Sequence, residues 1–170
     1  MAEEVVTQSA RWYALYLRSR HEKMVDLRLR ERDIETYLPM IEEVRQYSDR
    51  KKRVVEPLFR GYLFVRTDLR NKIPILQTDG VVKFVGIGLK PSPIPDKQIE
   101  WIRIAGGEPS KIKRESYLAA GEHVRVTAGP FEGIEGFILA LKGSMRVVVS
   151  IECIGQSVSV EVAPDLVVKL

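Results

Sequence analysis

The side chains best suited to catalysis are few: two histidines, His21 and His123, and one cysteine, Cys153. A metal centre needs several ligands at set spacing, and a catalytic triad needs a nucleophile beside a base. Neither histidine has a ligand-spaced partner. Cys153 lies in a valine-rich stretch with no histidine nearby, so a buried thiol is expected there and a surface helix position at His21. No enzymatic activity, metal or cofactor is expected. The chemistry on offer is instead that of charge. Arg45-Gln46-Tyr47-Ser48-Asp49-Arg50-Lys51-Lys52-Arg53 carries five basic side chains against one acidic. Such a cluster repels itself unless solvent or a polyanion screens it. It is either a solvated hairpin tip or a phosphate contact made by Arg50, Lys51, Lys52 and Arg53. A second basic group, Arg18, Arg20, Lys23, Arg28, Arg30 and Arg32, follows an aromatic stretch, and Arg18 and Arg20 join the candidate nucleic-acid contacts.

The net charge of +4 is unevenly shared. Residues 117–170 hold four Lys and Arg against six Asp and Glu, a balance of −2, which leaves +6 for residues 1–116. A basic first part facing nucleic acid or an acidic protein, with an acidic second part binding something else, is one reading; an ordinary solvated surface is the other. With 45% hydrophobic and 29% charged residues, a packed soluble fold is expected. No apolar run approaches the roughly 20 residues of a membrane-spanning helix. The Met1-Ala2-Glu3-Glu4 start is acidic where a secretory signal is basic, so a cytoplasmic monomer without a membrane partner is expected.

The elements that position these residues follow from periodicity. Residues 1–10 read as a loose tail. From Arg11 to Leu17 both alternating sets, Trp12/Ala14/Tyr16 and Tyr13/Leu15/Leu17, are apolar, which predicts a central strand covered on both faces. Ser19 is placed to cap a helix, with Glu22 three residues later as in a capping box, and Val25 and Leu29 share its inner face. Glu35 to Val44 predicts a strand interrupted by Pro39, and Val54 to Val65 a longer extended segment containing Pro57 and Gly61. A short helix over Asn71–Gln77, a strand over Val81–Val85 and a helix from Lys97 to Ala105 capped by Asp96 complete an α+β domain over 11–105. The Gly/Pro-rich, charged stretch 106–116 predicts a linker between independent domains. Beyond it, in 117–170, strand-like runs at 123–126, 135–141, 146–152, 157–162 and 166–169 predict a five-stranded barrel. Val147-Val148-Val149 and Val158, Val160 and Val162 are β-branched, so a barrel, not a helical hairpin, is expected in the free protein.

The segment Gly121 to Gly136 resembles a KOW motif. Val124 and Val126 alternate toward the interior, Gly129, Pro130, Phe131 and Gly133 form a tight connection, and Gly136 suits a crowded strand position. Trp12-Tyr13, the Glu22–Leu29 helix, Pro57-Leu58-Phe59-Arg60-Gly61-Tyr62-Leu63-Phe64-Val65 and Gly80-Val81-Val82-Lys83-Phe84-Val85-Gly86 resemble the N-terminal (NGN) domain of the NusG family in order and spacing. The resemblance implies an α+β NGN domain, an antiparallel sheet with flanking helices, followed by a small all-β, SH3-like KOW barrel. It implies a transcription elongation and antitermination factor that binds the clamp helices of the largest subunit of bacterial RNA polymerase, bridges the DNA cleft and suppresses pausing or termination. Trp12, Tyr13, Tyr16, Phe59, Gly61 and Tyr62 match the polymerase-binding positions, although Trp12 and Phe64 also suit a purely core role. Upstream or non-template DNA would be the nucleic-acid partner, and Rho or a ribosomal small-subunit protein the KOW-domain partner. Glu56-Pro57-Leu58-Phe59 and Tyr62-Leu63-Phe64-Val65 look closer to operon-specific paralogues of the RfaH and UpxY type than to general NusG. Arg60 departs from the common form, which has proline. Asn71-Lys72-Ile73-Pro74 stands where RfaH has a histidine followed by threonines, so that contact does not transfer. The alternatives are a general NusG coupling polymerase to Rho or the ribosome, and a KOW-containing ribosomal or RNA-binding protein.

Overall fold

The computed structural model describes residues 10–115, 121–141 and 144–170. Most of the expected tail, the linker's last residue with the start of the barrel domain, and Lys142-Gly143 lie outside the described residues. Cα proximity divides the chain into two compact units: residues up to Tyr37 with Gly61–Ile94, and Leu38–Arg60 with Pro95–Leu170. This grouping differs from the division at 106–116 expected from the sequence.

In the first unit, β1 (Arg11–Leu17) is the central strand that its two apolar sets require: Trp12, Tyr13, Ala14, Leu15 and Leu17 are all buried. It is followed by α1 (Glu22–Arg30), whose Val25 and Leu29 are fully buried. The expected Ser19 capping box does not form. A tight turn with Arg20 at φ +63° precedes the helix, His21 occupies the N-cap without a side-chain cap, and Glu22 is drawn inward to a distant partner described below. Strand β2 (Glu35–Tyr37) leads out of this unit.

The excursion that follows is a separate hairpin of β3 (Met40–Gln46) and β4 (Lys51–Pro57), with Pro39 and Pro57 near its ends. Back in the first unit, β5 (Tyr62–Thr67) pairs antiparallel with both β1 and β2. A 3₁₀ turn at Leu69–Asn71, with the Asp68 carboxylate accepting the Arg70 N–H at 2.9 Å, enters the five-residue α2 (Lys72–Leu76). Pro74 sits in the first turn of α2, where its missing N–H costs little. Next come β6 (Val81–Phe84) and the small hairpin of β7 (Gly86–Ile87) and β8 (Lys90–Pro91). The sheet order is β2-β5-β1-β6.

The second unit resumes with α3 (Asp96–Gly106), which buries Ile99, Ile102 and Ala105 at helical spacing. Asp96 was expected as its cap; Pro95 holds the N-cap instead, and Asp96 lies in the first turn, where its charge favours the helix N-terminus. Then come β9 (Ile112–Glu115), β10 (His123–Val126), β11 (Glu135–Leu141), β12 (Ser144–Ile151), β13 (Gln156–Val162) and β14 (Val167–Lys169). They form one antiparallel sheet in the order β14-β10-β11-β12-β13-β9. The five expected barrel strands are present, with valines 147, 148, 149, 158, 160 and 162 buried. The sixth, β9, is a correction: the last part of the expected linker is a strand paired with β13. Its Gly/Pro-rich approach masks a short β-compatible run.

Candidate functional site

Strand pleating sorts the candidate aromatic residues. Trp12 and Tyr16 share one face of β1 and Tyr13 points to the other. Tyr16 lies opposite Tyr62 of β5, their ring centroids 5.6 Å apart at 53°. Tyr16 is 41% exposed, unusual for a large ring on a central strand. Gly61, just before β5, takes φ +81°, a conformation that favours glycine, and a Cβ there would come within 3.7 Å of the Tyr16 ring. Its carbonyl accepts the Leu17 N–H at 2.8 Å and its own N–H donates to Glu22 Oε1 at 2.8 Å. Glu22, although charged, is 7% exposed. The helix start, the turn before β5 and the Tyr16–Tyr62 pair are therefore tied together.

The remaining aromatic candidates lie elsewhere. Tyr13 is buried against Phe84, edge to face with centroids 5.9 Å apart. Trp12 is 5% exposed, its carbonyl accepting the Ile94 N–H at 2.8 Å. Phe64 is 1% exposed, so both residues fill the core role that their types allowed. Phe59 belongs to the second unit and is buried. Of the six polymerase-binding candidates, Tyr16, Gly61 and Tyr62 form a surface cluster. Sequence reasoning missed Glu22's role because its partner is 39 residues away.

The basic candidates fall on both units. Arg18 pairs with Asp79 at 3.3 Å, and Arg28 reaches the other oxygen of the same carboxylate at 3.3 Å. Arg20 is exposed in its left-handed turn. On the hairpin, Arg50 stands at the tip and Lys51, Lys52 and Arg53 open β4, all exposed. Arg53 pairs with Glu42 at 3.3 Å and Arg45 with Glu56 at 2.8 Å. Arg50, Lys51 and Lys52 make no ion pair among the described residues.

In the barrel, Val124 and Val126 are each 1% exposed and point inward as their alternation requires. Gly129 and Gly133 take φ +85° and +89° in the loop after β10, which Phe131 anchors from its buried position. Gly136 lies so close to β12 that a Cβ would come within 2.1 Å of the Val148 carbonyl oxygen. Pro130 and Phe131 border an apolar cavity of about 810 Å³ with Val126, Met145, Val162 and Leu166. Cys153, expected as a buried thiol, is half-buried, and desolvation pushes its pKa up to about 11.

Comparison with known proteins bears on the whole chain. Residues 10–103 match the family described as "NusG: Transcription termination factor nusG". The chain is 30% identical to the transcription termination/antitermination protein NusG of Borreliella burgdorferi, over 91% of this chain and 95% of that protein. It is 29% identical to the Thermus thermophilus protein of the same name, over 95% and 99% of the two chains. For the Staphylococcus epidermidis protein, also of that name, identity is 28% over the full length of both. The solved structure of Thermotoga maritima NusG matches 95% of this chain and 97% of its own, with a TM-score of 0.54 and 24% identity, which supports the fold. With more than half of its length matched by the family model and nearly all of it aligned to these relatives, the chain belongs to the NusG family.

Proposed function

We propose that this protein is a transcription elongation and antitermination factor that works by binding, without catalysing a reaction. The observation that carries the proposal is the Tyr16–Tyr62 pair beside Gly61, Tyr16 exposed and Tyr62 half-buried, at positions matching the family's polymerase-binding surface. Aromatic rings supply large contact area at low rotamer cost, as an anchor for a protruding helix tip requires. The partner is the clamp-helix region of RNA polymerase. Residues 11–105 would carry this contact and residues 117–170 the KOW-domain recruitment of Rho or a ribosomal small-subunit protein, joined by 106–116. Bound across the DNA cleft, the factor makes clamp opening less favourable, and pausing or termination that needs opening becomes slower. Arg50, Lys51, Lys52 and Arg53 on the hairpin, with Arg18 and Arg20 before α1, contact upstream or non-template DNA.

Within the family we infer an operon-specific role, supported by the Glu56-Pro57-Leu58-Phe59 segment and by Arg60 in place of the usual proline. Arg60 pairs with Glu56 at 2.6 Å, so this departure is built into a local ion-pair cluster. The three relatives compared above carry the NusG name, which favours the general reading. Chromatin occupancy of the tagged protein separates the two: a few loci support the specialised role, and genome-wide occupancy overturns it. For the binding surface, Tyr62→Ala should weaken affinity for core polymerase by about 1–2 kcal/mol with the fold intact. Unchanged affinity would remove Tyr62 from the surface.

A further inference from the structure

Lys111-Ile112-Lys113-Arg114-Glu115 has the composition of a solvated connector, yet its side chains are engaged on two sides. Strand β9 pairs with β13 through Ile112↔Val160 to Glu115↔Ser157, and Ile112 is 3% exposed. On the barrel side, Arg146 of β12 is 2% exposed. It donates to Ser159 Oγ at 2.6 Å, to the Ser159 carbonyl at 3.0 Å and to the Lys111 carbonyl at 3.1 Å. Ser159 Oγ in turn donates to Glu115 Oε1 at 2.5 Å, and Glu161 Oε2 lies 3.4 Å from the guanidinium. A buried charge so surrounded is costly to strip of any partner.

Successive strand residues face opposite ways, and Arg114 points away from that network. It donates to the Leu58 carbonyl at 2.9 Å, to the Pro57 carbonyl at 2.9 Å, to Glu56 Oε1 at 3.3 Å and to Glu43. Its partners lie on β3, on β4 and just beyond β4, within the same compact unit. The planar guanidinium fork suits this set of carbonyl and carboxylate acceptors, which a lysine could not reproduce. The two attachments differ in exposure. Arg114 and Glu43 side chains are 28% and 33% exposed, whereas Arg146 is 2% exposed.

We propose that Ile112–Glu115 is a two-sided strap that fastens the basic hairpin to the barrel and releases at Arg114 while staying paired with β13. On the hairpin side buried Ile112 shares the face of Arg114, whose ion pairs with Glu43 and Glu56 are partly open to solvent, so salt and competing charges weaken that ionic part; the Arg146 network is shielded from both. Release frees the hairpin's cationic tip to move relative to the barrel without unfolding either.

Backbone ¹⁵N relaxation of the intact, isotope-labelled chain tests the strap. In the unaltered protein at low salt, hairpin residues 40–57 and barrel residues 123–169 should share one rotational correlation time. In Arg114→Gln the barrel value should fall roughly twofold, as for a smaller body tumbling alone, while residues 112–115 keep strand chemical shifts. Glu43→Gln, which alters the other partner, should give a split in the same direction, and Arg114→Lys should not restore the shared value. Two correlation times already present in the unaltered protein would overturn the strap. So would a single shared value in both Arg114→Gln and Glu43→Gln, or loss of strand shifts at 112–115 on release.

Discussion

At the scale of single residues, the Tyr16–Tyr62 pair depends on a glycine and a buried acidic side chain. Gly61 at φ +81° has space for a methyl group but not the backbone freedom, so Gly61→Ala should cost about 1–2 kcal/mol, read as a lowered denaturation midpoint. Glu22→Ala leaves the Gly61 N–H without its acceptor and should cost about 1–3 kcal/mol in the same assay, whereas Glu22→Gln keeps an oxygen in place and should cost less. Equal effects of the two Glu22 variants would mean that the oxygen at that position is not what holds the turn. Tyr13 and Tyr16 illustrate how far residue type alone reaches. The family resemblance selects both, but the period-2 pleat puts them on opposite faces, and the structure buries the first and exposes the second.

At the scale of elements, the β3–β4 hairpin is bound at its base by charge and left open at its tip. Glu56 receives Arg45, Arg60 and Arg114. Its carboxyl is held at about 2 against an ordinary 4.5, chiefly by the hydrogen bond from Arg60, opposed by partial burial and aided by Glu43 and by the charges of Arg60 and Arg45. The unfolded chain therefore takes up this proton first. The stability that Glu56 contributes is fully present above about pH 4.5 and is lost as pH falls toward 2. Glu56→Gln should flatten that part of the acid-denaturation curve and leave the rest unchanged. At the tip, neutralising Lys51 and Lys52 should lower the salt slope of elongation-complex binding by about 1 per lost phosphate contact. An unchanged slope would identify the tip as a solvated surface. The strands of the sheet and barrel were readable from local patterns, because two apolar faces mark a central strand and valine runs between turn signals mark barrel strands. The start of α1 and the strand nature of 112–115 were not. Both rest on partners far along the chain, 39 residues for Glu22 and 56 to 71 for Arg114, which no local period encodes.

At the scale of the whole molecule, the activity we propose is to hold polymerase in its elongating state by contact alone. The barrel is folded as strands among the described residues. Backbone chemical shifts of the free protein should be strand-like at 144–151 and 156–162; helical shifts there would show a concealed alternative. The most direct test is single-round transcription with purified polymerase stalled at a defined pause, with the intact protein added in excess and the pause lifetime measured beside a Tyr16→Ala/Tyr62→Ala double variant of verified fold. The expected result is a shortened pause lifetime with the unaltered protein and a lifetime returned to that of polymerase alone with the double variant. A pause lifetime that the unaltered protein does not change, or that both proteins shorten equally, would contradict the claim that this tyrosine surface engages polymerase to sustain elongation.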